Sequence, residues 1–203
     1  MAILKILAIC LIGYLLGSIS SAITMGKFYG INIKEVGSGN AGATNVARCI
    51  GKWQGVVVFL FDFLKGAIAV AIASFIWKEY AVIAGLCAVL GHNYPLYYGF
   101  KGGKGVSTTF GILLAIDWRV GLIIGGAVLV LLFITKIMSL SNLICFAFLP
   151  LVTYYIKPGD NNVNVYITAV FAILIYYTHR SNIKRLLNGT ENKLGKKKQE
   201  DTK

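Results

Sequence analysis

The feature that most constrains this chain is a succession of apolar runs, several of them about 17–24 residues long. That is the length a helix needs to cross a hydrocarbon core of roughly 30 Å. Hydrophobic residues make up 57% of the chain and charged residues 14%, whereas a soluble domain carries about 45–50% and 25%. The expectation is therefore an all-α, polytopic membrane helical bundle, one domain over 1–203 with no soluble domain attached. Lys and Arg outnumber Asp and Glu by 20 to 8. Without a solvated basic face this excess does not read as a nucleic-acid site; it reads as Lys and Arg kept on the cytoplasmic side.

Seven apolar segments are expected, at 6–25, 53–76, 80–98, 105–116, 119–135, 137–156 and 163–178. Two polar, Gly-rich loops separate them, Gly26–Lys52 and Gly99–Lys104, and a basic tail, 179–203, begins at His179. The fourth segment is short: twelve residues of helix reach only about 18 Å. Read as one helix, 105–135 would strand Asp117 and Arg119 at mid-membrane. Read with a turn at Asp117-Trp118-Arg119, seven spans put Lys27, Lys34, Arg48, Lys52, Lys101, Lys104, Lys136 and the tail on one side. The other side receives Lys78/Glu79, Asp117/Arg119 and Lys157/Asp160, which cancel pairwise. The positive-inside rule then sets the N-terminus outside and the C-terminus in the cytoplasm, with Lys5 the one charge against it. Lys5, an apolar stretch and small residues near Ser20–Ala22 also resemble a signal peptide, but the apolar stretch runs on to Met25, so an uncleaved first helix is expected. Cys10, Cys49, Cys87 and Cys145 are scattered singly, without metal-like spacing, and read as small hydrophobes.

Three polar motifs fall on the side assigned to the cytoplasm. The first, Gly37-Ser38-Gly39-Asn40-Ala41-Gly42-Ala43-Thr44-Asn45-Val46-Ala47-Arg48, matches the dinucleotide fingerprint literally, with Asp62 further on. Its flanks are membrane spans rather than a βαβ unit, so that reading fails. The physics of the pattern still holds: glycines expose backbone N–H groups to an anion, Ser38, Asn40, Thr44 and Asn45 add donors, and Arg48 suits phosphate. The second motif runs from Gly91-His92-Asn93-Tyr94-Pro95 to Gly99-Phe100-Lys101-Gly102-Gly103-Lys104-Gly105. It fails the Walker A pattern, with Tyr98 in place of the first glycine and Gly105 in place of the Ser/Thr, yet two lysines among glycines make an anion cradle. Pro95 and Gly99 are expected to break the third segment. In the third motif, His179 and Asn182 are i,i+3 neighbours on one helix face. Asp62 and Lys65, also i,i+3 but inside a span, are either functional or a structural ion pair.

These groups suit a substrate carrying phosphate at the water–lipid boundary. A His-x4-Asp acyltransferase is excluded, because Tyr97 stands five residues after His92 and Lys184 five after His179. No Arg-Pro pair supports a lipid phosphatase, and no paired carboxylates suggest a metal site. A transporter is disfavoured by the absence of an internal repeat.

The strings GSGNAGATNVAR, DFLKG, GHNYPLYYGFKGGKGVSTTFG, KIMSLS and HRSNIKRLLNGTENKLG, spread over 37–195, resemble the motifs of the bacterial acyl-phosphate:glycerol-3-phosphate acyltransferases, the PlsY family, in order and spacing. Ser181 departs from the acidic residue that members often carry there. The resemblance implies transfer of a fatty acyl group from acyl phosphate to the 1-hydroxyl of glycerol 3-phosphate, without a cofactor or metal. It also implies a place in the bacterial cell membrane, with the site facing the cytoplasm. His179, Asn182, Ser38, Arg48 and Lys104 would be catalytic. Gly39, Asn40, Thr44, Asn45, Lys101, Gly102, Gly103, Gly105, Ser139 and Ser141 would join them in binding substrate. Asp62, Lys65, His92 and Glu191 would support the site. Whether a soluble enzyme that makes acyl phosphate is a partner is left open.

Overall fold

The structure is a computed structural model that describes residues 1–156 and 163–194. Lys157, Asp160 and the tail beyond Leu194 lie outside the described residues. Ten α-helices are found among those described: α1 (Ala2–Ser18), α2 (Ser21–Phe28), α3 (Ala43–Cys49), α4 (Lys52–Trp77), α5 (Ala81–Asn93), α6 (Val106–Ile116), α7 (Trp118–Thr135), α8 (Met138–Ile156), α9 (Val163–Thr178) and α10 (Arg180–Leu187). The chain is an all-α, polytopic membrane bundle. Among the described residues four stretches are long and apolar enough to cross a membrane, Ala2–Phe28, Lys52–Tyr98, Trp118–Thr135 and Met138–Ile156, and two shorter apolar helices, Val106–Ile116 and Asn164–Thr178, accompany them. Outward-facing Phe75 and Phe133, 93% and 76% exposed, belong to the lipid-facing surface.

The residues divide into two compact units, Met1–Gly121 and the part from Leu122 onward. In the first, small residues let helix backbones touch, as they must where lipid offers no hydrophobic drive for association. A Cβ on Gly13 or Gly17 of α1 would strike the carbonyl of Ala84 or Ala88 of α5. Both pairs advance together, so α1 and α5 run parallel. Helix α4 runs against α1: Lys5 lies over the Trp77 ring at one end, while Lys65 reaches Ile19 towards the other. Gly66 meets the Thr108 carbonyl, Gly85 meets both Val70 and Ile112, and Gly105 meets Val89 and Asn93, so α6 runs against α5 and in the same direction as α4. The loops that precede α3 and α6 therefore emerge at one end of this unit.

Two boundaries differ from the sequence reading, and the turn expected at Asp117-Trp118-Arg119 is present. The segment 6–25 is broken after Ser18, because Ser20 caps α2 by accepting a hydrogen bond from the Ile23 amide at 3.4 Å. The break frees the Ile19 carbonyl, and Lys65 Nζ takes it at 2.8 Å, as non-helical backbone at membrane depth requires. The segment 80–98 leaves the α-helix at Asn93; Tyr94 and Pro95 follow, then a 3-10 turn at Leu96–Tyr98. Segment 105–135 is two helices. Asp117 is extended (φ −151°), accepts from the Arg119 amide at 3.0 Å, and holds the Arg119 guanidinium through both carboxylate oxygens at 3.1 and 2.8 Å.

In the second unit α8 packs on α9 around Phe146, Leu149, Phe171 and Ile175, all fully or almost fully buried. The Tyr176 hydroxyl donates to the Leu143 carbonyl at 3.0 Å and locks the two helices in register.

Candidate functional site

The loop before α3 is shaped by one buried side chain. Asn45 Nδ2 donates to the carbonyls of Ile33 and Val36, each at 3.0 Å, and Asn45 Oδ1 accepts from the Ser38 amide at 2.8 Å. Arg48 Nη1 approaches the same oxygen at 3.4 Å. Both amide protons of Asn45 are thus committed to the loop, so Asn45 shapes it from within rather than offering donors outward. Gly37 has φ +62°, and a Cβ there would press on Asn45 and Cys49; only glycine closes this turn. Ser38, Asn40 and Thr44 are half-buried, and Gly39 and Arg48 are exposed. Burial raises the Cys49 thiol above its usual range despite the opposing charge of Arg48, and the thiol points at Asn45 Oδ1 at 3.7 Å.

The second loop folds back on the end of α5. The Gly102 and Gly103 amides donate to the carbonyls of Asn93 and His92 at 3.0 and 3.1 Å, which supplies partners that a helix end lacks. This close approach explains the glycine pair. A Cβ on Gly102 would strike the His92 carbonyl, and one on Gly103 would meet the His92 ring and the Ala41 carbonyl. Gly103 is therefore where the two loops abut. Gly105 (φ +83°) then starts α6. Lys101 is exposed and Lys104 half-buried.

Beneath the loops lies a buried polar cluster. Lys65 Nζ is 2.8 Å from Asp62 Oδ1, 2.8 Å from the Ile19 carbonyl and 2.9 Å from His92 Nδ1. Ser21 Oγ donates to Asp62 at 2.9 Å. A charged Lys65 has three protons, and these three acceptors use them all. His92 Nδ1 also lies 3.5 Å from Asp62 Oδ1, and its Nε2 lies against Gly103.

In the second unit His179 caps α10 and is 2% exposed. Its Nδ1 lies 2.8 Å from the Ile175 carbonyl, which only accepts, so Nδ1 carries a proton. Glu191 accepts from Asn182 Nδ2 at 2.8 Å and from Arg185 Nε at 2.7 Å, fixing the amide of Asn182. The strand of chain after α10 returns to α8's start, where the Leu194 amide donates to the Lys136 carbonyl at 2.7 Å. Ser141 Oγ donates to the Ile137 carbonyl at 3.0 Å, whereas Ser139 Oγ is buried without a protein partner.

A family model described as glycerol-3-phosphate acyltransferase matches residues 7–189. The chain belongs to that family. A glycerol-3-phosphate acyltransferase of Parasynechococcus marenigrum is 42% identical over 96% of this chain and 92% of its own length. One of Halalkalibacterium halodurans is 42% identical over 92% and 94%. Among solved structures, PlsY, an integral membrane glycerol 3-phosphate acyltransferase, superposes in its glycerol 3-phosphate form with a TM-score of 0.87 at 39% identity, covering 94% of this chain and 96% of that one. Its lysophosphatidic acid form gives 0.85 at 38% identity.

Within this acyltransferase the structure singles out residues that the sequence reading passed over. Asn93 has both side-chain polar atoms buried without a partner beside Gly105, Thr108 Oγ1 is likewise unpaired, and so is Asn142 Oδ1, one turn from Ser139. Buried polar groups are nearly always paired, so each is a candidate for contact with water or substrate. No spacing rule marks them; Asn93 sits between two residues that were noticed. Ser21 was missed because it lay inside an apolar run.

Proposed function

We infer that this membrane acyltransferase moves a fatty acyl group from acyl phosphate to the 1-hydroxyl of glycerol 3-phosphate, giving lysophosphatidic acid and phosphate. The observation that carries the site assignment is the abutment of the two glycine-rich loops at Gly103 and Ala41. Two anion cradles lie side by side, as a reaction between two phosphate-bearing substrates requires. Arg48, Ser38, Gly39, Asn40 and Thr44 hold one phosphate; Lys101, Lys104 and Gly105 hold the other, while Gly102 and Gly103, expected from the sequence to bind phosphate, spend their amides on the Asn93 and His92 carbonyls and shape the loop instead. Asn45 and His92 keep the loops in shape. The family resemblance assigns Ser139, Ser141, His179 and Asn182 of the second unit to substrate as well, and there Glu191 steadies the Asn182 amide.

The hydroxyl oxygen attacks the acyl carbonyl carbon, the bond from that carbon to the phosphate oxygen breaks, and phosphate leaves with the electron pair. The hydroxyl proton passes to His179 or to a phosphate oxygen. Because acyl phosphate is a mixed anhydride with a good leaving group, positioning and charge stabilisation supply most of the rate. No acyl-enzyme is needed. The full count of seven spans, with the N-terminus outside and the loops cytoplasmic, is part of the same proposal; the charge distribution and the alternating directions of α1, α4, α5 and α6 support it.

The test combines kinetics with trapping. Arg48→Ala and Ser38→Ala should each lower kcat/KM by about 10²–10³-fold in a folded protein, and intact mass spectrometry of enzyme with acyl phosphate alone should show no added acyl group. A trapped acyl group on any side chain would overturn direct attack.

A further inference from the structure

A cleft of about 470 Å³ opens beside the start of the first loop, lined by Ile23, Lys27, Asn32, Ile33, Lys34 and Tyr98 among others. None of the residues assigned above to substrate lines it. Its floor is apolar and its cations are crowded. Lys34 Nζ donates to the Tyr98 carbonyl at 3.0 Å, and Lys27 lies 5.5 Å from the centre of the Tyr98 ring. No carboxylate is among the lining residues. Burial and the neighbouring charges of Lys101 and Lys27 together lower the Lys34 amine below the usual lysine range. Both walls leave apolar stretches at this point, α2 at Phe28 and the 3-10 turn at Tyr98, so the cleft lies at the water–hydrocarbon boundary. Phe28 and Tyr97, 84% and 55% exposed, stand beside it.

We propose that this cleft is a further anion site, distinct from the residues assigned to substrate, that holds the phosphate of an anionic phospholipid between Lys27 and Lys34. A lysine that only snorkels to the interface stays solvated, whereas these two face a concave pocket. The apolar floor of Ile23, Ile31 and Ile33 gives a lipid's glycerol and acyl groups a surface that a free phosphate has no use for. The site also touches the first loop, because the carbonyl of Ile33 is the acceptor for Asn45 Nδ2. An occupied cleft holds Ile33 and Lys34 in place and, resting on the function proposed above, favours the reactive loop shape.

Native mass spectrometry of the full chain, released from nanodiscs containing phosphatidylglycerol in phosphatidylcholine, tests it. Lys27→Gln and Lys34→Gln should each weaken retention of phosphatidylglycerol about fivefold, and the pair about twenty-five-fold. Lys34→Arg should keep it, and so should Lys5→Gln, which lies at the opposite end of the unit. Acyl transfer should rise with phosphatidylglycerol in the wild type and not in the double variant. Retention unchanged in the double variant overturns the proposal, as does inorganic phosphate competing as well as the lipid does. If the double variant does not fold, Lys27→Gln alone decides, because that side chain is exposed. Retention is read without turnover, so a failure of the acyltransfer reading would not disguise the result.

Discussion

Asp62→Asn removes one charge from the cluster beneath the loops while keeping the shape and the hydrogen-bonding atoms of the side chain. The Asp62 and Lys65 side chains are 2% and 9% exposed, with their charged atoms 2.8 Å apart. At an effective dielectric of about 20 this separation corresponds to a gross attraction of about 6 kcal/mol. Desolvation consumes much of that gain, but removing one partner strands the other, at a cost of about 3–5 kcal/mol. For a chain of this size the melting temperature should then fall by about 6–20 °C. Lys65→Met should cost a similar amount, since it strands Asp62. The double variant Asp62→Asn/Lys65→Met buries no charge and should recover more than half of either loss. The assay is thermal unfolding in detergent, followed by the fluorescence of Trp53, Trp77 and Trp118. An Asp62→Asn protein melting within about 2 °C of wild type, or a double variant worse than both singles, would refute the reasoning.

Three further outcomes follow from the geometry. Gly103→Ala drives a methyl group against His92 and the Ala41 carbonyl; kcat/KM should fall about 10²-fold in steady-state assays because both loops must shift. Cys49→Ala should keep activity within about threefold, because a thiol raised by burial supplies little thiolate; an inactive but folded Cys49→Ala would point to a thiol nucleophile and contradict this. The lowered Lys34 amine is neutral in a larger fraction of molecules at mildly alkaline pH than an ordinary lysine. Peptide mapping after brief reductive methylation should therefore find Lys34 labelled early, and Lys101→Gln, by removing a repelling charge, should raise the Lys34 pKa and slow that labelling.

Much of the helical layout is legible in the sequence because apolar length and charge placement act locally. The pair Asp117 and Arg119 announced the break between α6 and α7, since neither charge tolerates mid-membrane. The break after Ser18 was not legible: apolarity continues through Ile19 to Met25, and the partner that satisfies the freed Ile19 carbonyl, Lys65, lies on another helix. The composition of the glycine loops pointed to anion binding, but not to why the glycines at 102 and 103 are required. That reason lies in the fold of the loop onto the end of α5. Asn45 read as a ligand because its amide resembles that of Asn40, and only the structure shows its protons spent on Ile33 and Val36. His92 was recognised as a supporting residue without its partner; Lys65 lies on another helix, and no spacing rule joins them.

The most direct test of the central claim is the choice of acyl donor by purified protein in lipid cubic phase. Glycerol 3-phosphate is supplied with palmitoyl phosphate or palmitoyl-CoA, and lysophosphatidic acid and released phosphate are measured. Turnover with palmitoyl phosphate alone, producing one phosphate for each lysophosphatidic acid, is the predicted result. Turnover with palmitoyl-CoA, or none with either donor from folded protein, would contradict the account.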